Sequence, residues 1–401
     1  MNSLGIYISV PFCRSKCTYC NFASGVFPES YHSRYVERIG EEIRRSRDFA
    51  CQLGAPIPGV VDSIYLGGGT PSILSPKLLE RLFAALRGEF EIAAGAEITL
   101  ECAPGQLEDD VIEAMVECGV NRVSFGVQSF IDREAAVTGR LHTRGTALRD
   151  IDRVRQAGIG SVNADLIAGL PHQTVESWQE SLDTLISSGV DHASVYMLEV
   201  DEDSRLGREL LEGGGRYHAG AAPSEEMVAD CYMEAIERLA AAGGFAQYEI
   251  SNFAHEGSPS RHNMKYWTRQ LYLGFGLDAH SMLRSLEGGA IRFRTGDDLG
   301  SFLDGGSWED VQPVSPQQAL EEAWFLGLRL NEGVNLIALQ EEFGEVAAYR
   351  RDEEIEELTE LGLLDRQGHW VRLTGRGRLM SNEVFERFLG ESVESDLVLV
   401  D

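Results

Sequence analysis

The length of 401 residues leaves room for two or three domains, each able to bury its own core. Acidic residues outnumber basic ones by 64 to 35, which gives a formal net charge of -29 at pH 7. Because so acidic a surface repels phosphate backbones, we expect no nucleic acid partner for the whole chain. No apolar run reaches the roughly 18 residues of a membrane span, and the start lacks a basic segment followed by an apolar one. We therefore expect a soluble protein that is neither membrane-spanning nor exported.

The chain has seven cysteines, an odd number, and three of them lie close together near the start. This distribution differs from the even, spaced cysteines of a disulfide framework. Thiols that stay free to bind metal indicate a reducing compartment. We expect the cytoplasm.

Short apolar runs rich in β-branched residues alternate with longer amphipathic segments over the first half of the chain, which predicts an α/β fold. The candidate strands are residues 4–10, 62–66, 97–101, 122–127, 161–167 and 193–198. The candidate helices are residues 30–51, 76–90, 108–118, 145–156 and 175–188. Parallel strands joined by right-handed crossovers form either a barrel or a doubly wound sheet, and the pattern alone leaves both open.

Two breaks in the pattern predict three domains, at residues 1–215, 216–312 and 313–401. A glycine run at 213–215 marks the first break, and residues 305–316 mark the second. The last domain has the order helix, helix, helix, hairpin around Gly368 and final helix, which resembles a winged helix. Because this domain also carries acidic runs, we expect a packing or interaction module rather than a DNA-binding one.

Cys13, Cys17 and Cys20 lie within eight residues, directly after the first predicted strand. Sulfur ligands this close favour an iron-sulfur cluster or zinc. A structural zinc site needs four ligands, and the next candidates, His32 and Cys51, have no recognised spacing. Three thiolates leave one iron of a four-iron cluster open. The spacing Cys-x3-Cys-x2-Cys resembles the signature of the radical S-adenosylmethionine (SAM) proteins, which implies a [4Fe-4S] cluster and SAM as cofactors.

Glycines and polar residues follow the other predicted strands at the same edge of the sheet. The run Gly67-Gly68-Gly69 lets the backbone approach a ligand closely, and polar residues at strand ends line the mouth of a βα barrel. Each of these residues alone is more often an ordinary loop residue. The resemblance implies SAM contacts from Tyr7, Tyr19, Gly68, Gly69, Thr70, Glu101, Gln128, Arg140 and Asp165.

Four strings resemble the oxygen-independent coproporphyrinogen oxidase family: IYISVPFC, GGGTP, FGVQSF and DLIAGLP. The resemblance covers nearly the whole chain. It implies a radical SAM partial (β/α)6 barrel with a C-terminal α+β extension. The family has two main branches: HemN, the coproporphyrinogen III dehydrogenase, and HemW, haem-binding proteins proposed to deliver haem.

Two departures point away from the HemN branch. HemN-like enzymes carry a fourth cysteine two residues after the third, and that position is Phe22 here. They also have an N-terminal arm of some tens of residues, whereas few residues precede Cys13 in this sequence. Both differences favour the HemW branch.

The segment from Arg261 to Trp267 matches the His-Asn-x-x-Tyr-Trp motif of the HemW branch, which is associated with haem. The resemblance implies that His262, Asn263, Tyr266 and Trp267 bind haem, with the imidazole on the iron and an aromatic ring on the porphyrin face. A buried, hydrogen-bonded core histidine is the main alternative for His262. His280 is the second choice of ligand.

The resemblance implies a haem chaperone that passes haem to an acceptor haemoprotein and needs a reductant for its cluster. The alternative is the coproporphyrinogen III dehydrogenase, and a DNA-binding regulator is the least favoured. No residue is assigned a catalytic role.

Overall fold

Six parallel strands alternate with helices in the first part of the chain, as the sequence predicted. The strands are β1 (Leu4–Val10), β2 (Val60–Gly68), β3 (Glu91–Cys102), β4 (Arg122–Gln128), β5 (Ser161–Ala168) and β6 (His192–Met197). The helices between them are α1 (Ser30–Gln52), α2 (Pro76–Glu89), α3 (Asp109–Glu117), α4 (Asp132–Val137), α5 (Arg144–Gln156) and α6 (Val175–Ser187). This computed structural model describes residues 3–306, 308–344 and 351–390. The predicted α/β class is confirmed.

The strands β1 to β6 lie side by side in chain order. A doubly wound sheet reverses its strand order at a switch point, so that alternative is excluded. Shorter strands extend both edges: β7 (Ala246–Gln247), β8 (Asn252–Ala254), β9 (Tyr272–Phe275), β10 (His280–Arg284), β11 (Ala290–Thr295) and β12 (Trp308–Val314). The full order is β12-β11-β10-β9-β1-β2-β3-β4-β5-β6-β8-β7, with β9 parallel to β1 and β8 antiparallel to β6.

The two faces of the central strands differ in polarity. Ile8 on β1 and Ile64 on β2 have no exposed surface and belong to the apolar core, and their neighbours point to the other face because side chains alternate along a strand. On that face, burial raises the pKa of Tyr65 well above its ordinary value, and nearby Asp165 on β5 and Tyr196 on β6 raise it further. The sheet therefore curves around a polar interior. Its closure into a partial (β/α)6 barrel stays a prediction.

The described residues form two compact units. The first contains the residues up to Gln247 with Ser251–Lys265 and Gln270–Pro313, and the second contains Tyr248–Ile250, Tyr266–Arg269 and the residues from Val314 onward. The remaining helices that begin before Val314 are α7 (Arg205–Glu212), α8 (Glu225–Ala241), α9 (Arg261–Trp267) and α10 (Leu299–Leu303), with short 3-10 helices at Pro71–Ile73 and Ala219–Ala221. The predicted division at 215 falls inside the first unit, and the three-domain division stays a prediction.

The second unit packs helices around a small sheet. Its elements are α11 (Pro316–Arg329), β13 (Val334–Asn335), α12 (Leu336–Phe343), α13 (Asp352–Glu360), β14 (Leu364–Gln367), β15 (Trp370–Leu373), α14 (Gly375–Leu379) and α15 (Ser381–Glu386), and the sheet order is β13-β15-β14. Trp324 and Phe388 stack in its core with ring centroids 4.7 Å apart. The final helix was predicted as one and is two, because Met380 leaves the helical conformation.

The winged-helix resemblance of this second unit stays a prediction, and residues 391–401 of the predicted last domain lie outside the described residues. In the part of the chain that the structure describes, no helix is both long enough and apolar enough to cross a membrane.

Candidate functional site

The three clustered cysteines lie on the loop that follows β1, at the carboxyl end of the parallel strands. All three are half-buried. The Cys13 amide donates to the Gly25 carbonyl at 2.9 Å, and the Gly25 amide donates to the Pro11 carbonyl at 2.8 Å. These paired bonds close the loop into a compact turn that presents its thiols at one edge of the sheet.

The thiols are not arranged for a single metal ion. Among the described residues, no three His, Cys, Asp or Glu side chains are close enough together to hold one ion. A zinc site needs such a group, whereas each thiolate of an iron-sulfur cluster binds its own iron. Burial raises the pKa of Cys13, against a hydrogen bond from Thr70 that lowers it. The donor set fits a cluster better than zinc.

The glycine run at the end of β2 locks that strand to the cysteine loop. The Gly69 amide donates to the Val10 carbonyl at 2.9 Å, and the Thr70 amide donates to the Phe12 carbonyl at 2.8 Å. A β-carbon on Gly69 would lie 2.7 Å from the Val10 oxygen. Gly68 has a φ of 95°, in the left-handed region that favours glycine. Any side chain at Gly69 would therefore push the cysteine loop away.

Glu101 at the end of β3 is a carboxylate held in the polar interior. The Tyr65 hydroxyl donates to its Oε1 atom at 2.9 Å. The pKa of Glu101 is raised to about 7, because burial and nearby Asp165 outweigh the Tyr65 hydrogen bond and Arg140, which lower it. Tyr7 lies beside this pair with its ring centroid 6.2 Å from that of Tyr65. Burial and then Glu101 raise the pKa of Tyr7, so both tyrosines stay protonated donors.

The side chains of Arg140 and Gln128 both lie beside Gly126 on β4. A β-carbon on Gly126 would lie 2.8 Å from the Arg140 Nη2 atom and 3.0 Å from the Gln128 Nε2 atom. Arg140 also donates to the Tyr19 hydroxyl at 3.3 Å, which ties this group to the cysteine loop. Asp165, on the neighbouring strand β5, accepts from Asn163 at 2.6 Å, and burial raises its pKa.

Gln128 combines an uncommon backbone conformation with a buried acceptor that no described residue satisfies. Its φ of 67° lies in the left-handed region, which non-glycine residues rarely adopt. Its Oε1 atom is buried and has no hydrogen-bond partner among the described residues. An unpaired buried acceptor costs about 1–3 kcal/mol, so such groups usually meet a partner. A ligand that carries ammonium, hydroxyl and carboxylate groups, as SAM does, would serve Gln128, Glu101 and Arg140.

The predicted haem motif lies elsewhere. His262 on α9 has no exposed surface, and its Nδ1 atom is 3.0 Å from the Ser63 hydroxyl. The Glu97 carboxylate accepts the Arg261 amide at 3.0 Å and the His262 amide at 2.9 Å. Lys265 pairs with Asp62 at 2.8 Å. Ser63 on β2 pairs with Gly5 near the start of β1, and Glu97 on β3 pairs with Ser63. His262 therefore lies at the opposite end of the strands from the cysteines.

Burial and then Lys265 lower the pKa of His262 to about 3, against Asp62, which raises it. The imidazole is therefore neutral, the form that ligates metals. This environment is that of a buried, hydrogen-bonded histidine, the alternative that the sequence left open. Haem ligation by His262 stays a prediction.

The aromatic half of the motif belongs to the second unit. The ring centroids of Tyr266 and Trp267 are 6.3 Å apart. The Arg329 guanidinium lies over the Trp267 ring, with its Cζ atom 4.2 Å from the ring centroid. Asn263 is half-exposed on α9. His280, the second choice of ligand, is half-exposed beside Asp278, with 3.9 Å between His280 Nε2 and Asp278 Oδ1.

Sequence reasoning missed Tyr65 as the partner of Glu101. The alternation along β2 could have found it, because Tyr65 and Gly67 share the face that carries Ser63. It also missed Asp278, which follows a short strand with no clear period. Asp278 lies close enough to Tyr7 to raise its pKa.

Residues 7–185 match the family model of the radical SAM superfamily, and residues 314–380 match that of the HemN C-terminal domain. Heme chaperone HemW of Bacillus subtilis is 33% identical over 391 residues, which cover 96% of this chain and 99% of that protein. Heme chaperone HemW of Escherichia coli is 31% identical over 392 residues, covering 97% and 98%.

Among solved structures, coproporphyrinogen III oxidase (HemN) from Escherichia coli, described as a radical SAM enzyme, has a TM-score of 0.82 at 23% identity. The match covers 96% of this chain and 90% of that one. At this identity the likeness shows a shared fold. The two HemW relatives are more than 30% identical over nearly their whole length, which shows family membership. The chain belongs to the HemW family of radical SAM proteins.

Proposed function

We propose that the protein is a haem chaperone that binds haem and passes it to an acceptor haemoprotein. The observation that carries this proposal is its likeness, over nearly its whole length, to relatives named heme chaperones. Phe22 supports it, because this side chain is 50% exposed at the position where the dehydrogenase branch has a fourth cysteine. Because its thiols must stay reduced, we place the protein in the cytoplasm.

The cofactors in this proposal are a [4Fe-4S] cluster on Cys13, Cys17 and Cys20 and a SAM molecule beside it. Once reduced by an external electron donor, a cluster with bound SAM supplies a 5'-deoxyadenosyl radical. The protein's own residues position and shield the site. Gly69 keeps the cysteine loop against β2, while Arg140 and Gln128 supply a cation and an unpaired amide acceptor at the mouth.

Haem binding in this proposal uses the motif on α9. A histidine ligates metal through one ring nitrogen while the other keeps its hydrogen bond, so the neutral imidazole of His262 can retain its Ser63 bond when it binds iron. Because His262 has no exposed surface, haem loading requires α9 to move away from β2. Tyr266 and Trp267 supply aromatic surface for the porphyrin.

Anaerobic titration of haem into the cluster-loaded protein, followed at the Soret band, tests the function. We expect about one haem per chain and transfer of that haem to an apo-haemoprotein. Absence of binding contradicts the proposal. Conversion of coproporphyrinogen III to protoporphyrinogen IX by the same preparation, supplied with SAM and a reductant, contradicts it in favour of the dehydrogenase.

A further inference from the structure

A small polar cavity opens at the end of the strands where His262 lies. Its volume is about 150 Å³. Its walls come from the first residues of β4 and β5, from β3 and from the loop that leads directly into α9. The lining residues are Glu97, Asn121, Arg122, Ser161, Gly257, Ser258, Pro259 and Arg261. All of them belong to the first unit.

Arg122 brings a buried positive charge to this cavity. It is 3% exposed, and its Nη1 atom donates to the Ser161 hydroxyl and to the Ser258 carbonyl, both at 2.9 Å. Among the described residues, no carboxylate lies within 4.0 Å of its guanidinium. Burying a charge without a close counter-charge costs several kcal/mol in general, so a buried arginine usually contacts an anion. This one borders open space instead.

Arg261 is the second arginine that lines the cavity. Its Nη2 atom donates to the Gly95 carbonyl at 2.7 Å and to the Asp62 carbonyl at 3.3 Å, and the side chain is exposed. Both arginines are thus hydrogen-bonded to uncharged groups. Neither forms an ion pair among the described residues, and Arg122 lies close enough to Asp165 to lower its pKa, which burial raises.

The one carboxylate in the cavity wall is already engaged. Both oxygens of Glu97 accept backbone amides at the start of α9, from Arg261 and from His262. The charged residues that line the cavity are two arginines and this one carboxylate, so the lining carries a net positive charge, although the chain as a whole carries a net charge of -29. The cavity therefore selects an anion.

The size of the cavity decides what kind of anion fits. A cavity of about 150 Å³ has room for a carboxylate and a few waters. A porphyrin ring is too large. The ligand must insert a short acidic arm while its body stays outside, and a planar carboxylate suits the fork of a guanidinium.

We propose that the cavity between Arg122 and Arg261 is a carboxylate subsite that holds a propionate arm of the haem. This inference rests on the proposed haem-chaperone function. Its location agrees with that function, because Arg261 is the residue before His262 and both backbone amides bind Glu97. An anchored propionate would hold the haem edge against the start of α9 while the helix moves.

The test compares haem with haem dimethyl ester, in which both carboxylates are blocked. We expect wild type to bind haem about tenfold more tightly than the ester, as one charge-assisted hydrogen bond implies. Arg261→Gln should lower haem affinity about tenfold and leave ester affinity unchanged, and Arg261→Lys should lie between them. Arg122→Gln should act in the same direction, with thermal unfolding measured beside it because the residue is buried.

Arg81→Gln is the matched control. Arg81 is an exposed arginine of the same unit, on α2, and it also bonds an uncharged partner, the Ser33 hydroxyl at 3.4 Å. We expect it to change neither affinity. Equal affinity of wild type for haem and ester, or an equal loss of both in Arg261→Gln, overturns the subsite and leaves the chaperone function standing. Wild type that binds neither compound overturns both.

Discussion

The two ends of the parallel strands hold their polar side chains in opposite conditions. At the carboxyl end, three thiols are half-buried, and the Gln128 amide oxygen is buried without a partner among the described residues. At the amino end, His262 has no exposed surface and bonds Ser63, and its backbone amide bonds Glu97. The first end therefore has the features of a site prepared for a ligand, whereas the second must rearrange before it can bind one.

The largest expected effect is the loss of the cluster at the carboxyl end. Cys13→Ser should abolish it, because a cluster left with two thiolates is not held. The measurement is iron content and visible absorption after anaerobic reconstitution, with about four irons per chain expected for wild type. Cys51→Ser is the control, since Cys51 is an exposed thiol on α1. Iron retained by Cys13→Ser would contradict the assignment.

Gly69→Ala tests the contact that joins β2 to the cysteine loop. The added β-carbon would lie 2.7 Å from the Val10 carbonyl oxygen, so we expect a loss of about 1–3 kcal/mol in the free energy of unfolding and poor cluster retention. Gly59→Ala has open space around it and should change neither. Urea unfolding and iron content measure both effects. If Gly69→Ala and Gly59→Ala have the same stability and iron content, Gly69 does not hold the cysteine loop against β2.

The contributions of His262 and Glu101 to the stability of the protein should change with pH in opposite directions. The folded pKa of His262 is lowered to about 3, so the unfolded chain binds more protons and stability is lost as pH falls from about 6.5 toward 3. The folded pKa of Glu101 is raised to about 7 from 4.5, so the folded chain binds more protons and stability is lost as pH rises through that window.

Each unit of pKa shift corresponds to about 1.4 kcal/mol. Compared with wild type, Glu101→Gln should therefore gain stability as pH rises from 4.5 to 7, measured by urea unfolding at each pH. If the difference in unfolding free energy between Glu101→Gln and wild type does not vary with pH, the pKa of Glu101 is not raised in the folded state.

The substitution Gln128→Gly tests separately the backbone strain at this position and its proposed role in SAM binding. Glycine accepts the φ of 67° without cost, so we expect a gain of about 1 kcal/mol in stability together with about tenfold weaker SAM binding. Asp310→Gly relieves a comparable φ of 51° on β12 and should leave SAM affinity unchanged. Isothermal titration with SAM decides the matter. Unchanged affinity in Gln128→Gly would remove Gln128 from the SAM site.

The smallest expected effect is a weaker haem complex at the amino end. Ser63→Ala removes the hydrogen bond that orients the His262 ring, so haem affinity should fall about fivefold, as a bond of about 1 kcal/mol implies. Ser194→Ala is the control, because Ser194 is equally buried and donates to Asn163 instead. Unchanged haem binding in Ser63→Ala would contradict this role of Ser63.

The central strands could be predicted from sequence because each is a run of β-branched and apolar residues. Residues 4–10 were predicted and β1 spans Leu4–Val10, while β3 begins six residues earlier than predicted, at Glu91. The helix α4 was missed because it has only six residues, too few to show a period. The short elements between Arg261 and Val314 were missed for the same reason, whereas the hairpin around Gly368 was predicted and is formed by β14 and β15.

The residues of the candidate site also differ in whether the sequence could predict them. Its cysteines and glycines could be predicted because they form short local motifs. The burial of His262 could not, since its partners Ser63 and Glu97 come from strands far away in the chain. The cavity beside Arg122 could not be predicted either, because its walls meet only in the folded sheet.

The most direct test of the account is a haem titration of the cluster-loaded protein as wild type, His262→Ala and His192→Ala, followed at the Soret band. His192 is a second buried histidine, 1% exposed and 2.7 Å from Asn163, so its variant controls for the loss of a buried imidazole. We predict about one haem for wild type and for His192→Ala, and loss of the band in His262→Ala. A full Soret band in His262→Ala would contradict ligation by the motif and leave His262 as a structural residue of the sheet interior.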